Sequence, residues 1–277
     1  MAEITMRALW WEGMCCGLRN IVRMGNTKTL RHALRLILCP VDLWRYVEFG
    51  AVLNAYCGGT PVLDIGSPKL LSLVLARRFG AKVIAGDIVR HIGDEVAVYA
   101  RAARPGIVTP PIFDARALPY PDNSLPFVYS VSVIEHIGGK GDTKALEEIG
   151  RVLQAGGTAV ITVPIGPEFR EIWLDRDPYG YQPKDGARVF FSYVYDEQTL
   201  QERLVEPSGL KRISTSRWAD DPPGWYETQY LPAISSNPIR AALTKLRDFR
   251  FARRHIRRLS ENAECAGRGI AILTLRK

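Results

Sequence analysis

Short apolar runs alternate with longer amphipathic stretches from residue 61 to residue 277. The apolar runs predict seven β-strands, at Val62–Ile65, Lys82–Ala85, Pro111–Phe113, Phe127–Val133, Thr158–Val163, Lys211–Ser216 and Ile270–Leu275. The stretches between them predict helices over residues 69–79, 92–103, 143–154 and 197–205. Because strands that alternate with helices form a sheet covered on both faces, the pattern predicts a doubly wound α/β domain.

Capping residues help to place the ends of these predicted helices. Asp142 and Asp196 are expected to be the N-caps of the third and fourth helices. The pair Gly156-Gly157 is expected to end the third helix before the fifth strand begins.

Two further helices are predicted ahead of the α/β pattern. Residues 27–38 place apolar side chains at helical spacing and end before Pro40, and residues 42–56 form a second candidate. The chain is therefore expected to divide into an N-terminal helical extension, residues 1–58, and a main domain, residues 59–277.

An aromatic insertion, at about residues 164–195, separates the fifth and sixth predicted strands. A connection of this length inside a compact domain is more often functional than idle. Indole and phenol rings combine apolar area with a polar tip, so Trp173 and Tyr181 here, and Trp225 in the next insertion, are candidates for binding a substrate. A lid that packs on the domain for stability is the alternative.

A second insertion, at about residues 219–267, contains an arginine-rich helix predicted over residues 238–259. Asn237 suits the N-cap and Pro238 suits the first helical position. Apolar side chains form one stripe along this helix, backed by arginines. Three interpretations stay open: a solvated face, a lid, or an anchor on a membrane surface.

Positive charge is concentrated at the two ends of the chain. The net charge is +8, whereas residues 1–40 carry six Lys/Arg against two Glu and residues 237–277 carry eleven against three acidic residues. Any surface that attracts phosphate or anionic lipid is therefore expected to come from the ends. No recognition motif for nucleic acid is present, so we expect no sequence-specific nucleic-acid partner.

The five cysteines show neither a C-x-x-C pair nor regular spacing. We therefore expect no disulfide framework and no metal site, and the usage fits a cytoplasmic protein. Charged residues interrupt the apolar stretches near the N-terminus, so neither an export signal nor a transmembrane segment is predicted.

The segment that carries the most chemical information follows the first predicted strand. Asp64 and Gly66 end this strand just before a helix, and Asp87 follows the second strand. In a doubly wound sheet, ligands bind at the carboxyl ends of the strands, near the point where the strand order reverses. A carboxylate about twenty residues after the first motif is suited to accept hydrogen bonds from ribose hydroxyls.

These residues resemble the class I S-adenosylmethionine (SAM)-dependent methyltransferases, particularly the type 11 group. The resemblance rests on five motifs in the same order, Asp64-Ile65-Gly66, Gly86-Asp87, the segment 114–124, the segment 133–137, and Arg151-Val152-Leu153 with Gly156-Gly157. It implies a Rossmann-like fold with a seven-stranded, mostly parallel sheet whose last strand is antiparallel. It also implies S-adenosyl-L-methionine as the cofactor.

The resemblance implies roles at the matched positions. The cofactor-binding set comprises Asp64, Gly66, Ser67, Asp87, Ile88, Asp114, Ala115 and Ser132. Its first acid and glycine would line the methionine end of SAM, and Asp87 would bind the ribose hydroxyls. Asp114 and Ala115 would meet the adenine, while Ser132 would lie near the reacting methyl group.

The chain departs from the family pattern at Pro68, where a second glycine is usual. Proline has no N–H, so close contact through a donor at this position is impossible, although proline suits the first position of a helix. Dinucleotide-binding domains are a rival interpretation, but they require G-x-G-x-x-G in the first turn, and this chain supplies Gly66 alone.

His136 is a candidate catalytic residue, because an imidazole can take a proton from an acceptor hydroxyl. The alternative is that Glu135 and His136 belong to the fold signature and orient the backbone. The function predicted from the sequence is methyl transfer from SAM to an oxygen or nitrogen of a small-molecule or lipid-linked acceptor. A degenerate scaffold, or a peripheral membrane protein without catalysis, is the alternative.

Overall fold

The computed structural model describes residues 5–23, 34–35, 37–88, 108–109, 111–176, 184–260, 263 and 265–277 of the 277-residue chain. The helix predicted at 92–103 lies outside the described residues. So do Tyr181 and most of the helix predicted at 27–38.

The secondary structure follows the predicted alternation. The strands are β1 (Val62–Ile65), β2 (Val83–Gly86), β3 (Val108–Thr109), β4 (Leu125–Val131), β5 (Leu153–Ile165), β6 (Arg170–Leu174), β7 (Lys184–Asp185), β8 (Arg188–Val194), β9 (Lys211–Asp220), β10 (Ile256–Arg258) and β11 (Gly269–Arg276). The α-helices are α1 (Met6–Arg23), α2 (Arg45–Ala55), α3 (Leu70–Phe79), α4 (Gly141–Val152), α5 (Glu197–Leu200), α6 (Glu206–Ser208), α7 (Leu231–Ser235), α8 (Pro238–Lys245) and α9 (Asp248–His255). A 3₁₀ turn covers Ile134–His136, and π-helical turns cover Gln201–Val205 and Tyr226–Tyr230.

In the described part of the chain, the central sheet has the order β10-β9-β11-β5-β4-β1-β2-β3, one strand more than the seven predicted because the short edge strand β10 is added. Strands β3, β2, β1, β4 and β5 are parallel, whereas β11 runs antiparallel between β5 and β9. This confirms the predicted mostly parallel sheet with an antiparallel last strand. The strand order reverses between β1 and β4, which places a ligand crevice at their carboxyl ends.

Two predicted elements differ from the structure. The strand predicted at Pro111–Phe113 begins earlier, as β3, and its predicted range contributes one bridge, between Ile112 and Asp87, in the same register along β2. The single helix predicted at 238–259 is interrupted after Lys245, where α8 ends, and the last residues of that range form the edge strand β10. Pairing of β10 with β9 therefore overrides the helical periodicity.

The predicted caps give two confirmations and two corrections. Asp196 caps α5 in a reciprocal capping box with Thr199, and Asn237 accepts a hydrogen bond from the Arg240 N–H. Asp142 is not an N-cap, because α4 begins at Gly141 and the Asp142 carboxylate lies buried inside its first turn.

The prediction that Gly156-Gly157 ends the third helix is also wrong. Helix α4 ends at Val152, and β5 begins at the next residue. Gly156 adopts a φ of 73° within β5, where its N–H donates to the carbonyl of Lys277 at 3.0 Å. The glycine therefore allows the backbone to turn within β5 and does not end the helix.

The N-terminal helices and the sheet share one apolar layer. Phe49, Val52 and Leu53 of α2 are buried and belong to the same cluster as Val62 and Tyr129 of the sheet. Burial of this continuous apolar surface stabilises α2 against the domain. The division of the chain at residue 58 stays a prediction.

The aromatic insertion forms a small sheet in the order β6-β8-β7, where the sequence suggested a loop or lid. It joins the carboxyl end of β5 through two backbone hydrogen bonds, from Gly166 to Tyr195 at 2.9 Å and from Tyr195 to Pro164 at 3.0 Å. This attachment places the carbonyl and ring of Phe191, in β8, beside the crevice.

Candidate functional site

The turn after β1 forms the floor of the crevice. Gly66 has a φ of 65°, and its N–H donates to the carbonyl of Gly86 at 2.8 Å. A Cβ atom at residue 66 would lie 2.8 Å from Cγ1 of Val133, closer than real Cβ atoms approach. Only glycine therefore fits this turn without displacing the residue that follows β4.

Asp64 supports this turn from below. Its carboxylate accepts hydrogen bonds from the Ser67 N–H at 2.9 Å and from the Ser72 hydroxyl, and it is completely buried. Burial raises the pKa of Asp64 above its usual value. Asp64 does not line the cavities at the carboxyl ends of β1 and β4, and its hydrogen bonds hold the loop. Its direct contact with a ligand stays a prediction.

The same loop offers few donors to a ligand. The N–H groups of Gly66 and Ser67 are used by Gly86 and Asp64, and Pro68 has no N–H. The helix after the loop begins at Leu70, so Pro68 lies ahead of the helix rather than at its first position. Binding of pyrophosphate needs an array of such donors, which this loop lacks.

A first cavity, of about 130 Å³, opens at the ends of β1 and β2. It is lined by six of the predicted site residues, Gly66, Asp87, Ile88, Asp114, Ala115 and His136. The Asp87 side chain is 11% exposed and lies 3.9 Å from the Lys69 ammonium.

Asp114 enters the first cavity with its carboxylate already engaged. Its two oxygens accept hydrogen bonds from the Arg116 guanidinium at 3.0 and 2.6 Å. These hydrogen bonds lower the pKa of Asp114. The carboxylate is therefore ionised near neutral pH and is held in one orientation by its partner.

A second cavity, of about 390 Å³, shares Gly66 and Val133 with the first. It contains the other two predicted cofactor residues, Ser67 and Ser132. The Ser67 hydroxyl accepts a hydrogen bond from the Val131 N–H at 2.9 Å, which ties the loop to β4.

Ser132 belongs to a buried network that includes α2. Its hydroxyl donates to Glu48 at 2.7 Å and accepts from Arg45 at 2.6 Å. Glu48, which is 0% exposed, also accepts from the Thr162 hydroxyl at 2.6 Å and from Arg45. Because every oxygen of this carboxylate has a donor, the network fixes Ser132 and Arg45 at the wall of the second cavity.

A third cavity, of about 310 Å³, shares Arg45 and Ser132 with the second and His136 with the first. Its wall combines polar and charged side chains with apolar and aromatic ones, which include Trp44, Phe191, Tyr226, Tyr230, Ile234 and Ile270. The three cavities thus follow one another through shared wall residues around the carboxyl ends of β1 and β4.

Glu135 is a buried acid on the wall of the third cavity. It is 3% exposed, and within the described part of the chain its Oε2 atom has no hydrogen-bond partner. Burial raises the pKa of Glu135 to about 8. This carboxyl group is therefore mostly protonated at neutral pH.

His136, the predicted catalytic residue, lies between the first and third cavities. Its Nδ1 atom is 2.6 Å from the carbonyl oxygen of Phe191, which makes Nδ1 the protonated nitrogen. Burial lowers the pKa of His136 to about 4. The imidazole is therefore neutral at physiological pH and is a weak base.

Arg268, just before β11, was not identified from the sequence. Its guanidinium carbon lies 5.3 Å from the ring centre of Tyr226, and it lines the third cavity. Its buried Nε–H has no hydrogen-bond partner, and no carboxylate of the described residues lies within 4.0 Å of the guanidinium. An unsatisfied buried donor costs about 1 to 3 kcal/mol, so this group is suited to a ligand.

The two predicted substrate residues that the structure describes, Trp173 and Trp225, do not line the three joined cavities. Trp173 packs edge-on against Phe190, with ring centres 5.6 Å apart, and lines none of the four cavities. Trp225 stacks on His255 at 4.0 Å and lines a fourth cavity, which shares Tyr230 with the third. A role of Trp173 and Trp225 in binding a substrate stays a prediction, and Tyr181 lies outside the described residues.

Comparison with known proteins agrees with this arrangement. Residues 63–161 match the family model described as a methyltransferase domain. The biotin biosynthesis bifunctional protein BioHC of Cellvibrio japonicus (strain Ueda107) is 34% identical over 194 residues, which cover 68% of this chain and 36% of that protein. The chain thus spans 36% of the length of this curated relative.

Solved methyltransferase structures share the fold. Phosphoethanolamine N-methyltransferase 2 of Haemonchus contortus, in complex with S-adenosyl-L-methionine, matches with a TM-score of 0.55 at 17% identity over 93% of this chain and 59% of that chain. Geranyl diphosphate C-methyltransferase of Streptomyces coelicolor A3(2), in complex with Mg²⁺, geranyl diphosphate and S-adenosyl-L-homocysteine, matches with a TM-score of 0.54 at 14% identity over 84% and 77%.

The sheet order and the crevice at the ends of β1 and β4 thus define the class I fold of the SAM-dependent methyltransferases. Within that class, residues 63–161 are a methyltransferase domain of the type 11 group, as the motifs predicted. Among the described residues, no helix is long and apolar enough to span a membrane, and no three potential ligands cluster around a metal position.

Proposed function

We propose that this protein transfers a methyl group from SAM to an oxygen or nitrogen of an acceptor that binds in the third cavity. The observation that carries the proposal is the chain of shared wall residues, Gly66 and Val133 between the first two cavities and Ser132 and Arg45 between the second and third. This sequence of cavities provides adjoining places for a nucleoside, an amino-acid chain and an acceptor.

The first cavity suits the adenosine half of SAM. Asp87 presents a carboxylate for ribose hydroxyls at the end of β2, and Ile88, Val133 and Ile137 supply apolar surface for a purine. Gly66 packs closely against Val133, so the wall of the first cavity lies directly beside the turn after β1.

The second cavity suits the amino-acid half. Lys69 lies on its wall, and its buried Nζ atom has no hydrogen-bond partner in the described part of the chain. Arg45 and Asp42 line the same cavity. These side chains offer the cations and the anion that complement an α-carboxylate and an α-ammonium group.

The chemistry requires alignment more than acid–base groups from the protein. SAM, when bound, supplies a methyl group that its sulfonium charge has already activated. The network of Glu48, Ser132 and Arg45 holds the junction between the second and third cavities in one geometry.

Calorimetric titration with SAM and S-adenosylhomocysteine tests the cofactor site. We expect wild-type protein to bind both at micromolar concentration, and Asp87→Asn to weaken binding by about tenfold or more through loss of a charge-assisted hydrogen bond. Asp122→Asn, at an exposed carboxylate outside the cavities, is the matched control and should bind as the wild type does. Absence of binding by the wild type would favour the degenerate-scaffold alternative.

We further propose that α8 and the segment before α2 contact an anionic membrane, from which a lipid-linked acceptor would be reached. None of the residues of α8 is buried, and Ile239 and Leu243 are 74% and 55% exposed. Lys245 of α8 and Arg35 both pair with Asp42, which brings the two segments together. Exposed apolar side chains among arginines are typical of interfacial helices.

Sedimentation with phosphatidylcholine vesicles, with and without phosphatidylglycerol, tests this contact. Binding should require the anionic lipid, fall as salt rises, and be lost in an Ile239→Ser/Leu243→Ser variant. Ile213→Ser, at a similarly exposed apolar residue on β9, is the control. Equal sedimentation of the double variant and the wild type would refute the membrane contact.

A further inference from the structure

The third cavity has an uncompensated cation on its wall. Three cationic side chains of the described residues line it, and two of them have carboxylate partners: Arg45 pairs with Glu48, and Lys245 pairs with Asp42 at 2.9 Å. Within the described part of the chain, Arg268 has no carboxylate partner, and its buried Nε–H makes no hydrogen bond. A ligand group that neutralises Arg268 would therefore carry a negative charge.

The geometry at Arg268 favours a planar anion. Contact with the Tyr226 ring at 5.3 Å restrains the guanidinium, whose parallel N–H groups match the two oxygens of a carboxylate. Glu135 lies on the same wall with an unpartnered Oε2 atom. As a protonated carboxyl group it can donate a hydrogen bond to a second anionic oxygen.

The acidic and imidazole groups on this wall are poor proton acceptors among the described residues. The Asp42 carboxylate is engaged by Lys245 at 2.9 Å and by Arg35 at 3.5 Å. Glu135 is mostly protonated at neutral pH, since burial raises its pKa to about 8, and His136 is a weak base because burial lowers its pKa to about 4. The oxygens of Glu48 are engaged by Arg45, Ser132 and Thr162. The wall therefore offers no strong base to an acceptor that must lose a proton before methylation. A carboxylate needs none, because it is already deprotonated at neutral pH.

We propose that the acceptor is a carboxylic acid with an apolar body, bound through its carboxylate by Arg268 and methylated on a carboxylate oxygen. This inference rests on the proposed methyl transfer. The oxygen attacks the methyl carbon, a C–O bond forms, and the C–S bond breaks with its electron pair remaining on sulfur. The products are a neutral methyl ester and neutral S-adenosylhomocysteine, and no proton is transferred.

Four eight-carbon probes with the same chain and different headgroups test the proposal: octanoate, 1-octanol, octylamine and octyl phosphate. Binding is measured by calorimetry with S-adenosylhomocysteine-saturated protein. Turnover is measured with methyl-labelled SAM, and alkaline hydrolysis releases labelled methanol from an ester but not from an ether or an amine. We expect octanoate to bind best and to give an alkali-labile product.

Variants separate anion recognition from other roles. Arg268→Gln should weaken octanoate binding by about 10- to 100-fold, as expected for a charge-assisted bidentate contact, and Arg268→Lys should restore only part of it. Arg254→Gln removes the same charge from the exposed face of α9 and should bind octanoate as the wild type does. Glu135→Gln keeps a neutral donor and should retain turnover within a few-fold, whereas loss of a general base would lower it about 100-fold or more.

Three results would overturn the proposal while SAM binding is intact: preferred turnover of octanol, octylamine or octyl phosphate, no binding of octanoate, or equal octanoate affinity in Arg268→Gln and the wild type. Failure of wild-type protein to bind SAM or S-adenosylhomocysteine would instead refute the proposed function. The binding measurement therefore distinguishes the two failures.

Discussion

Ser132 donates a hydrogen bond to Glu48 at 2.7 Å, although 84 positions separate them in the chain. Ser132 ends β4 with a φ of 49°, a left-handed conformation that is uncommon for a residue other than glycine. The carboxylate on α2 thus fixes a strained residue at the junction of the second and third cavities. The N-terminal helices are in this way part of the site.

Removal of the Glu48 carboxylate should destabilise the fold. Glu48→Ala leaves Arg45 without its ion pair and the hydroxyls of Ser132 and Thr162 without an acceptor. Loss of one partner from such a buried network costs about 3 to 5 kcal/mol in the free energy of unfolding. Urea denaturation measures this change.

Glu147→Ala is the matched control for that prediction. Glu147 pairs with Lys144 on the exposed face of α4, and loss of a surface pair should change stability by less than about 1 kcal/mol. A loss below about 1 kcal/mol for Glu48→Ala as well would show that the network contributes little.

Gly66→Ala should impair binding of SAM through a clash rather than through backbone strain alone. Its Cβ would approach Val133 to 2.8 Å, whereas Gly186, with a similar φ of 58°, has open space where a Cβ atom would lie. Both substitutions carry the left-handed penalty, on the order of 1 kcal/mol. We expect calorimetry to show at least about tenfold weaker SAM binding for Gly66→Ala, because the turn must shift.

Gly186→Ala should bind SAM as the wild type does, and Val133→Ala should partly rescue Gly66→Ala. Equal affinities of Gly66→Ala and Gly186→Ala would contradict the prediction. Failure of rescue would mean that the shift of the turn does not originate from Val133.

The buried Asp142 should be important for attaching the aromatic sheet to the domain. Its carboxylate accepts hydrogen bonds from Arg203 at 2.9 and 2.7 Å and from the Tyr195 hydroxyl at 3.0 Å. Asp142→Ala leaves the partly buried Arg203 guanidinium without its carboxylate partner. Thermal or urea unfolding should show that the free energy of unfolding falls by about 3 kcal/mol or more.

Two milder variants complete this test. Tyr195→Phe removes one hydrogen bond and should cost about 1 kcal/mol. Glu197→Ala breaks a solvent-exposed pair with Arg212 and should change stability by less than about 1 kcal/mol. If all three variants unfold alike, the Asp142 cluster does not anchor the small sheet.

The residues predicted from the sequence include more of the wall of the first cavity than of the third, for a physical reason. Asp87, Asp114 and Ser132 follow strands whose apolar runs are visible in the sequence, and strand ends meet at one edge of a parallel sheet. Arg45 and Arg268 reach the crevice from a helix before the domain and from the start of the last strand. Their positions depend on packing between distant segments, which no local pattern encodes.

The errors in the predicted elements have the same origin. The stripe of residues 238–259 is helical in its periodicity, yet pairing of Ile256–Arg258 with β9 adds a strand to the sheet. Asp142 is a good N-cap by residue type, but Arg203, 61 positions later, engages its carboxylate. Tertiary contacts decided both cases against the local preference.

Stability should fall as the pH rises through the titration of Asp248. Burial raises the pKa of Asp248 to about 7, and the Tyr230 hydroxyl donates to both of its oxygens. Because the folded state holds a proton that the unfolded chain releases near pH 4, the stabilising contribution is complete below about pH 4 and is lost by about pH 7. The contribution is at most about 4 kcal/mol.

Asp248→Asn keeps a neutral side chain of the same shape and should flatten this dependence. Urea unfolding between about pH 4.5 and 7.5 measures it, with Asp122→Asn as an exposed control. The stability of Asp248→Asn should still decline somewhat as the pH rises, since burial also raises the pKa of Glu135. Parallel curves for wild type and Asp248→Asn would contradict the assignment.

The side chains of the third cavity come from segments on both sides of residues 63–161, with Arg45 before them and Tyr226 and Arg268 after them. If the third cavity binds the acceptor, as proposed, substitutions in these outlying segments would alter which acceptor is methylated and leave the residues of the first cavity unchanged. After gene duplication, related chains would then diverge in their acceptors through changes in the third cavity, while the first cavity is retained. Libraries that vary positions 226 and 268 and keep the residues of the first cavity would use this arrangement to change the acceptor.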